Sequence, residues 1–155
     1  RDLIARIRAN PFARMFRVCK LTLAALEATL VHFVNGTWRS AVPFYRHLAR
    51  DAAAVRAAAE RLVGHLAGLP GWRMDVIDDH AYVGSGSLPD QGIASAALRL
   101  TPEAGSLDAA ARRLRCGRPA VFGRVEQRAL LLNLHAVADA DLADLAAAVR
   151  TALAP

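Results

Sequence analysis

The 155 residues carry 54% apolar and 22% charged side chains and a net charge of +6, the make-up of one globular domain with a sizeable core. The apolar share is inflated by 34 alanines, and the longest apolar stretch, residues 21–34, contains Glu27 and His32, which excludes a bilayer-spanning helix there. Cys19 and Cys116 stand far apart with no pair-spaced neighbour, which argues against a disulfide framework or zinc knuckle and makes a reducing cytoplasm the expected setting.

The basicity is local. Residues 1–20 hold six positive side chains against Asp2, whereas the other 135 residues hold fourteen basic and thirteen acidic ones. Nineteen of the twenty basic residues are arginine, so chemistry that needs a lysine must use Lys20 or another chain. The first residues have no initiator methionine and no apolar signal core, and they read as the middle of an amphipathic helix; a piece of a longer protein is expected.

In chain order, Leu3, Ile4 and Ile7 recur at helical spacing over residues 1–9, and the Asn10-Pro11 step interrupts them. A second helix is expected to start at Pro11. Leu23, Leu26, Leu30, Phe33 and Val34 mark a helix over residues 21–34, stopped by Asn35-Gly36. Leu48, Val55, Leu62 and Leu66 suggest one long helix over 41–68, ended by Gly68-Leu69-Pro70-Gly71. The pattern then shortens to apolar runs broken by glycine and proline, as strands require. Strands are expected at 72–77 and 96–100, with a loop at Gly84-Ser85-Gly86-Ser87-Leu88-Pro89 between them. A helix at 107–114 capped by Ser106, a hairpin of 120–125 with 130–134, and a last helix at 139–153 complete the series. The fold class is therefore α+β, with a small, mostly antiparallel sheet covered by helices.

No pair among the five histidines has metal-ligand spacing, so no metal site is assigned. Asp75, Asp78, Asp79 and His80 read as a solvated acidic turn, and the glycine-serine loop fits neither phosphate-loop pattern. Glu27, on the flank of an apolar stripe, calls for an arginine partner. Arg14 and Arg17, three apart, would share one helix face on which two forked guanidiniums can clasp a tetrahedral oxyanion; a solvated basic face is the plainer use of the same residues.

Three segments together carry a family resemblance. They are Asn10-Pro11-Phe12-Ala13-Arg14-Met15-Phe16-Arg17-Val18-Cys19-Lys20 running on to Leu30, the loop from Gly84 to Pro89 followed by Ser95-Ala96-Ala97-Leu98, and Pro119-Ala120-Val121-Phe122-Gly123-Arg124-Val125. In order and spacing they resemble the carboxyl-terminal third of the bacterial selenocysteine synthases, the L-seryl-tRNA(Sec) selenium transferases. The first segment is the specific one, because it mixes polar and apolar demands over some twenty positions.

The resemblance implies a fold-type I pyridoxal-phosphate enzyme that dehydrates the seryl group on its tRNA to an aminoacrylyl intermediate and adds selenium from selenophosphate. It implies that residues 1–36 are a basic segment and inter-domain helix closing a large domain, and that 37–155 are the small domain. The lysine that holds pyridoxal phosphate and the tRNA-recognising part precede the matched region, so no catalytic residue is carried onto this chain and Lys20 is not given that role. Arg14 and Arg17 match arginines that bind the selenophosphate anion, and Arg124 is a possible substrate-facing residue. Cys19 stands where better-known members have an aspartate. A homo-oligomeric parent enzyme acting on seryl-tRNA(Sec) in the cytoplasm, without membrane attachment, is implied as well. Two alternatives stay open: a related pyridoxal-phosphate lyase without tRNA, and a non-catalytic module that binds RNA through residues 1–20.

Overall fold

The computed structural model describes residues 2–84 and 91–154. The chain divides into two compact units, residues 1–46 and 47–155, so that residues 37–46 pack with the first unit.

In the first unit, α1 (Asp2–Ala9) leaves Leu3, Ile4 and Ile7 exposed. Pro11–Arg14 form only a single 3-10 turn, in which the Asn10 side chain accepts from the Phe12 amide at 2.9 Å. The helix expected from Pro11 therefore does not continue. The chain extends through Arg17 and Val18 and resumes as α2 (Lys20–Val34), where Cys19 takes the N-cap position and its Sγ accepts from the Thr22 amide. After the Gly36 turn (φ 70°), α3 (Trp38–Ala41) brings Trp38 against Phe33, stacked at 5.7 Å, and Tyr45 closes edge-on against both. Such offset and edge-to-face contacts suit the aromatic quadrupole.

The single helix expected over 41–68 is two helices, α4 (Pro43–Leu48) and α5 (Ala52–His65). The carboxylate of Asp51 accepts from the Ala54 amide, which starts a new helix at Ala52. Arg50 at the break donates to the carbonyls of Leu134 and Val137 and to Asp139, and so ties this corner to the far end of the second unit.

The strands are β1 (Trp72–Ala81), β2 (Ile93–Pro102), β3 (Arg124–Glu126) and β4 (Ala129–Asn133), in the antiparallel order β1-β2-β4-β3. This is the α+β architecture expected. The glycine-serine loop, Gly84 to Pro89, lies outside the described residues apart from Gly84. Two-residue periodicity sends Ala96, Leu98, Leu100, Leu130 and Leu132 to one face, where α5, α6 (Leu107–Cys116) and α7 (Leu142–Leu153) bury them with Val55, Leu62, Leu114 and Val149. Burying each such leucine contributes about 1.5–3 kcal/mol.

The expected strand at 120–125 shortens to β3. The Val121 amide donates to Leu114 at the end of α6, and Gly123 lies so close to β4 that a Cβ there would stand 2.8 Å from the Leu130 and Leu132 side chains. Residues 119–123 thus follow the helix end before pairing starts. Gln127 and Arg128, both at positive φ, make the two-residue hairpin turn. The last helix starts with a 3-10 turn at Asp139–Asp141 before α7.

His135, just after β4, is buried, and neither ring nitrogen makes a hydrogen bond of ordinary geometry. Burial and the nearby Arg50 guanidinium push its imidazole below the ordinary value of 6.5, with the backbone of His47 acting the other way. Because the folded chain binds this proton less readily than the unfolded one, stability is full above about pH 6.5 and falls as the pH drops below it. Urea midpoints at about pH 8 and about pH 5.5 should differ, the acid one being lower, and His135→Phe should shrink that difference. An unchanged difference in the variant would place the titrating group elsewhere.

Candidate functional site

Arg14 closes the 3-10 turn and Arg17 lies in the extended stretch before α2. They are therefore not on one helix face, and the geometric argument from helical spacing fails. Both side chains are exposed, and neither forms an ion pair or side-chain hydrogen bond among the described residues. The segment keeps two unpaired guanidiniums three residues apart, followed by the amino end of a fifteen-residue helix. That combination attracts a small anion without helical spacing, through forked donors and the positive end of the helix dipole. The Thr22 hydroxyl and amide hold the Cys19 thiol below its ordinary value. Lys20 is the exposed first residue of α2.

Glu27 is exposed on α2 and has no arginine partner among the described residues. The expected pair rested on burial of its helix face, and here that face is open: Leu23, Leu26 and Leu30 are each about half exposed.

The acidic residues expected as a solvated turn belong to β1, and each aspartate is paired. Asp75 takes a two-pronged contact from Arg99, its cross-strand partner; Asp78 takes Arg56; Asp79 takes Arg124. Arg124 sits on the edge strand β3 and donates its Nε to Glu126 at 2.7 Å and an Nη to Asp79 at 3.0 Å. The second Asp79 oxygen accepts from the Asn133 amide at 2.8 Å, and Asn133 in turn accepts from the Ser95 hydroxyl and the His135 backbone amide. Burial would raise the Asp79 carboxyl, but hydrogen bonds from Asn133 and Arg124 outweigh it and hold it below the ordinary carboxylate value. Arg124, held by two carboxylates, has its fork committed within the chain. It lines a cleft of about 230 Å³ together with Arg99, Glu126 and Leu131.

Sequence reasoning missed this clasp because its members come from residues 79, 95, 124 and 133 and meet only when the sheet forms. No group of three or more metal-ligating side chains occurs among the described residues, and no helix among them is long and apolar enough to cross a membrane.

Residues 1–138 match the family described as L-seryl-tRNA selenium transferase. The L-seryl-tRNA(Sec) selenium transferase of Aquifex aeolicus is 34% identical over 142 residues, covering 92% of this chain and 31% of that protein. The proteins of the same name from Hyphomonas neptunium and Rhizobium meliloti are 36% and 39% identical, over 96% and 90% of this chain and 32% and 31% of theirs. The chain spans about a third of the length of these curated relatives.

The clasp makes a stability prediction. Asp79→Ala removes a mostly buried acceptor and leaves Asn133 and Arg124 each short of a partner, so it should cost about 1–3 kcal/mol. Arg124→Ala, at a half-exposed side chain, should cost less. Chemical denaturation of both variants measures the order, and an equal or reversed order would show that the clasp does not rest on Asp79.

Proposed function

Because the chain belongs to the L-seryl-tRNA selenium transferase family, we propose that it is part of an enzyme that converts seryl-tRNA(Sec) to selenocysteyl-tRNA(Sec), and that Arg14 and Arg17 bind the selenium donor. The donor is selenophosphate, a small, multiply charged tetrahedral anion. The observation that carries this reading is that both arginines are exposed and free of intramolecular ion pairs among the described residues, within the matched region. Arginine suits the task because its charge persists at any working pH and its donors are paired; lysine offers a point charge. The complete enzyme acts as a homo-oligomer.

Pyridoxal phosphate supplies the electron sink in such an enzyme. The residues described here do not supply the lysine that would hold it: the single lysine, Lys20, sits exposed at the start of α2. The role assigned to this chain is accordingly anion binding, and Arg124 is assigned to holding the sheet rather than to the substrate.

Two expected outcomes follow. With this chain joined to the unmatched portion of the Aquifex aeolicus relative, Arg14→Ala or Arg17→Ala should weaken selenophosphate-dependent turnover on seryl-tRNA about ten- to a hundredfold, since a charge-assisted contact contributes about 1.5–3 kcal/mol. Cofactor absorbance should persist. Wild-type donor dependence in both variants, or joint loss of cofactor and fold, would overturn the assignment. Separately, borohydride reduction of this chain with pyridoxal phosphate should give no stoichiometric pyridoxyl adduct on Lys20 by mass spectrometry; an adduct that survives low cofactor excess would make Lys20 a cofactor residue.

A further inference from the structure

The two edges of the sheet are built differently. β3 is a three-residue strand that runs straight into the positive-φ turn at Gln127 and Arg128, so little of its ladder is open. β1 is the other edge, and among the described residues no strand pairs with its outer side. Its ten residues contain neither proline nor glycine, and they pair with β2 one to one from Trp72↔Pro102 to Ala81↔Ile93, without a bulge. Short strands, proline and bulges close an edge to other chains, and β1 has none of them.

The phase of the ladder fixes which backbone groups are open. The Glu103 amide donates to the Gly71 carbonyl, one step beyond the Trp72↔Pro102 pair. Hydrogen-bonded pairs alternate along an antiparallel ladder, so Arg73, Asp75 and Ile77 bond to β2, whereas Met74, Val76 and Asp78 turn their amides and carbonyls outward. On the core side, Trp72, Met74 and Val76 are only partly buried. Asp75, Asp78 and Asp79 are held by Arg99, Arg56 and Arg124. Arg73 is exposed and has no ion pair or side-chain hydrogen bond among the described residues.

We propose that the outer edge of β1 pairs with the same edge of a second copy of the chain, antiparallel and in the register centred on Val76. Charge selects both the occupant and the register. The centre of a two-fold strand pair must fall on a residue here, because a centre between residues would oppose the core face of one copy to the polar face of the other. Centring on Asp75 or Asp78 sets a carboxylate against itself, and centring on Ile77 sets Asp75 against Asp79 twice. Centring on Met74 pairs only residues 72–76. Centring on Val76 pairs residues 72–80 and places Arg73 of each copy opposite Asp79 of the other. That pair falls at a position without backbone bonds, where opposed side chains are closest. The Asp79 carboxylate has lone pairs for one more donor beside Asn133 and Arg124. The inference concerns one surface of the second unit, and neither the anion site nor the reaction enters it.

The test follows the full 155-residue chain by sedimentation velocity and by hydrogen exchange read at single amides, from low to high micromolar concentration. A dimer should form, and the amides of Met74, Val76 and Asp78 should gain protection as it does, whereas those of Arg73, Asp75 and Ile77 stay protected at every concentration. Val76→Pro removes both central bonds of the new ladder and spares the bonds to β2, so it should weaken the dimer about tenfold or more. Arg73→Glu sets like charges opposite one another twice and should weaken it by about the same factor, while Arg73→Lys should stay within about threefold of wild type. Should circular dichroism show that Val76→Pro misfolds, the exchange pattern and the two Arg73 variants decide. A chain that remains monomeric would overturn the proposal. So would an oligomer in which the Met74, Val76 and Asp78 amides stay open, as association through the exposed apolar residues of the first unit would leave them, or a dimer indifferent to Arg73→Glu.

Discussion

The strict alternation along β2 and β4 governs the second unit. It places Leu98, Leu100, Leu130 and Leu132 on the side that α5, α6 and α7 cover, and the same alternation places Ser95, Arg99, Leu131 and Asn133 on the other. A slip of one residue would bury Arg99 and Asn133 and expose the leucines, so the register is held by the whole apolar face at once. Among the described residues of this unit, no helix layer covers the polar side. It is closed instead by side chains that bridge strands, and Arg124 reaching from β3 to Asp79 on β1 spans the two edges of the sheet. The pairing is chemically economical, because Asp75, Asp79, Ser95, Arg99, Arg124 and Asn133 each meet a partner within this group.

Periodicity carried most of the fold into view. The three- and four-residue steps of 21–34 mark a helix and the short apolar runs from residue 72 on mark strands, and the structure places helices and strands in the expected order. The departures share a cause: a local polar contact or close approach outweighed a smooth pattern. Asp51 starts a new helix where Leu48 and Val55, seven apart, looked continuous. The turn after Pro11 lacks the bonds to become a helix before Cys19 caps the next one. Gly123 presses against β4, which the sequence marks only as a glycine in an apolar run. The pairings of Asp75, Asp78 and Asp79 were illegible for a different reason, since acid and base lie 22 to 45 residues apart and their sequence neighbourhood resembles a polar turn.

The first unit shows what pattern alone does not decide. Its α2 has the apolar spacing of a core helix, yet none of its residues is buried, and Leu21 and Val34 are 75% and 86% exposed. Spacing states which side of a helix is to be covered and says nothing of what covers it. The expectation of a partner for Glu27 failed at this step, because it treated an apolar stripe as if it were already a core. Family recognition did not depend on burial: it came from the polar residues of the Asn10–Lys20 string, whose order no packing rule demands.

Charge separates the two units more sharply than fold does. Residues 1–46 hold eight basic side chains against two acidic ones, which is the chain's whole net charge, and the second unit balances. An arginine whose guanidinium is spent on a carboxylate or a carbonyl is a structural strut, and Arg50, Arg99 and Arg124 are of this kind. An arginine left without a partner keeps its hydration and its field, and both become available to an external anion. Arg14 and Arg17 lie at a bend, where donors from an irregular backbone can converge on one small tetrahedral group. Backbone geometry, more than residue type, decides whether neighbouring guanidiniums can meet on one small anion.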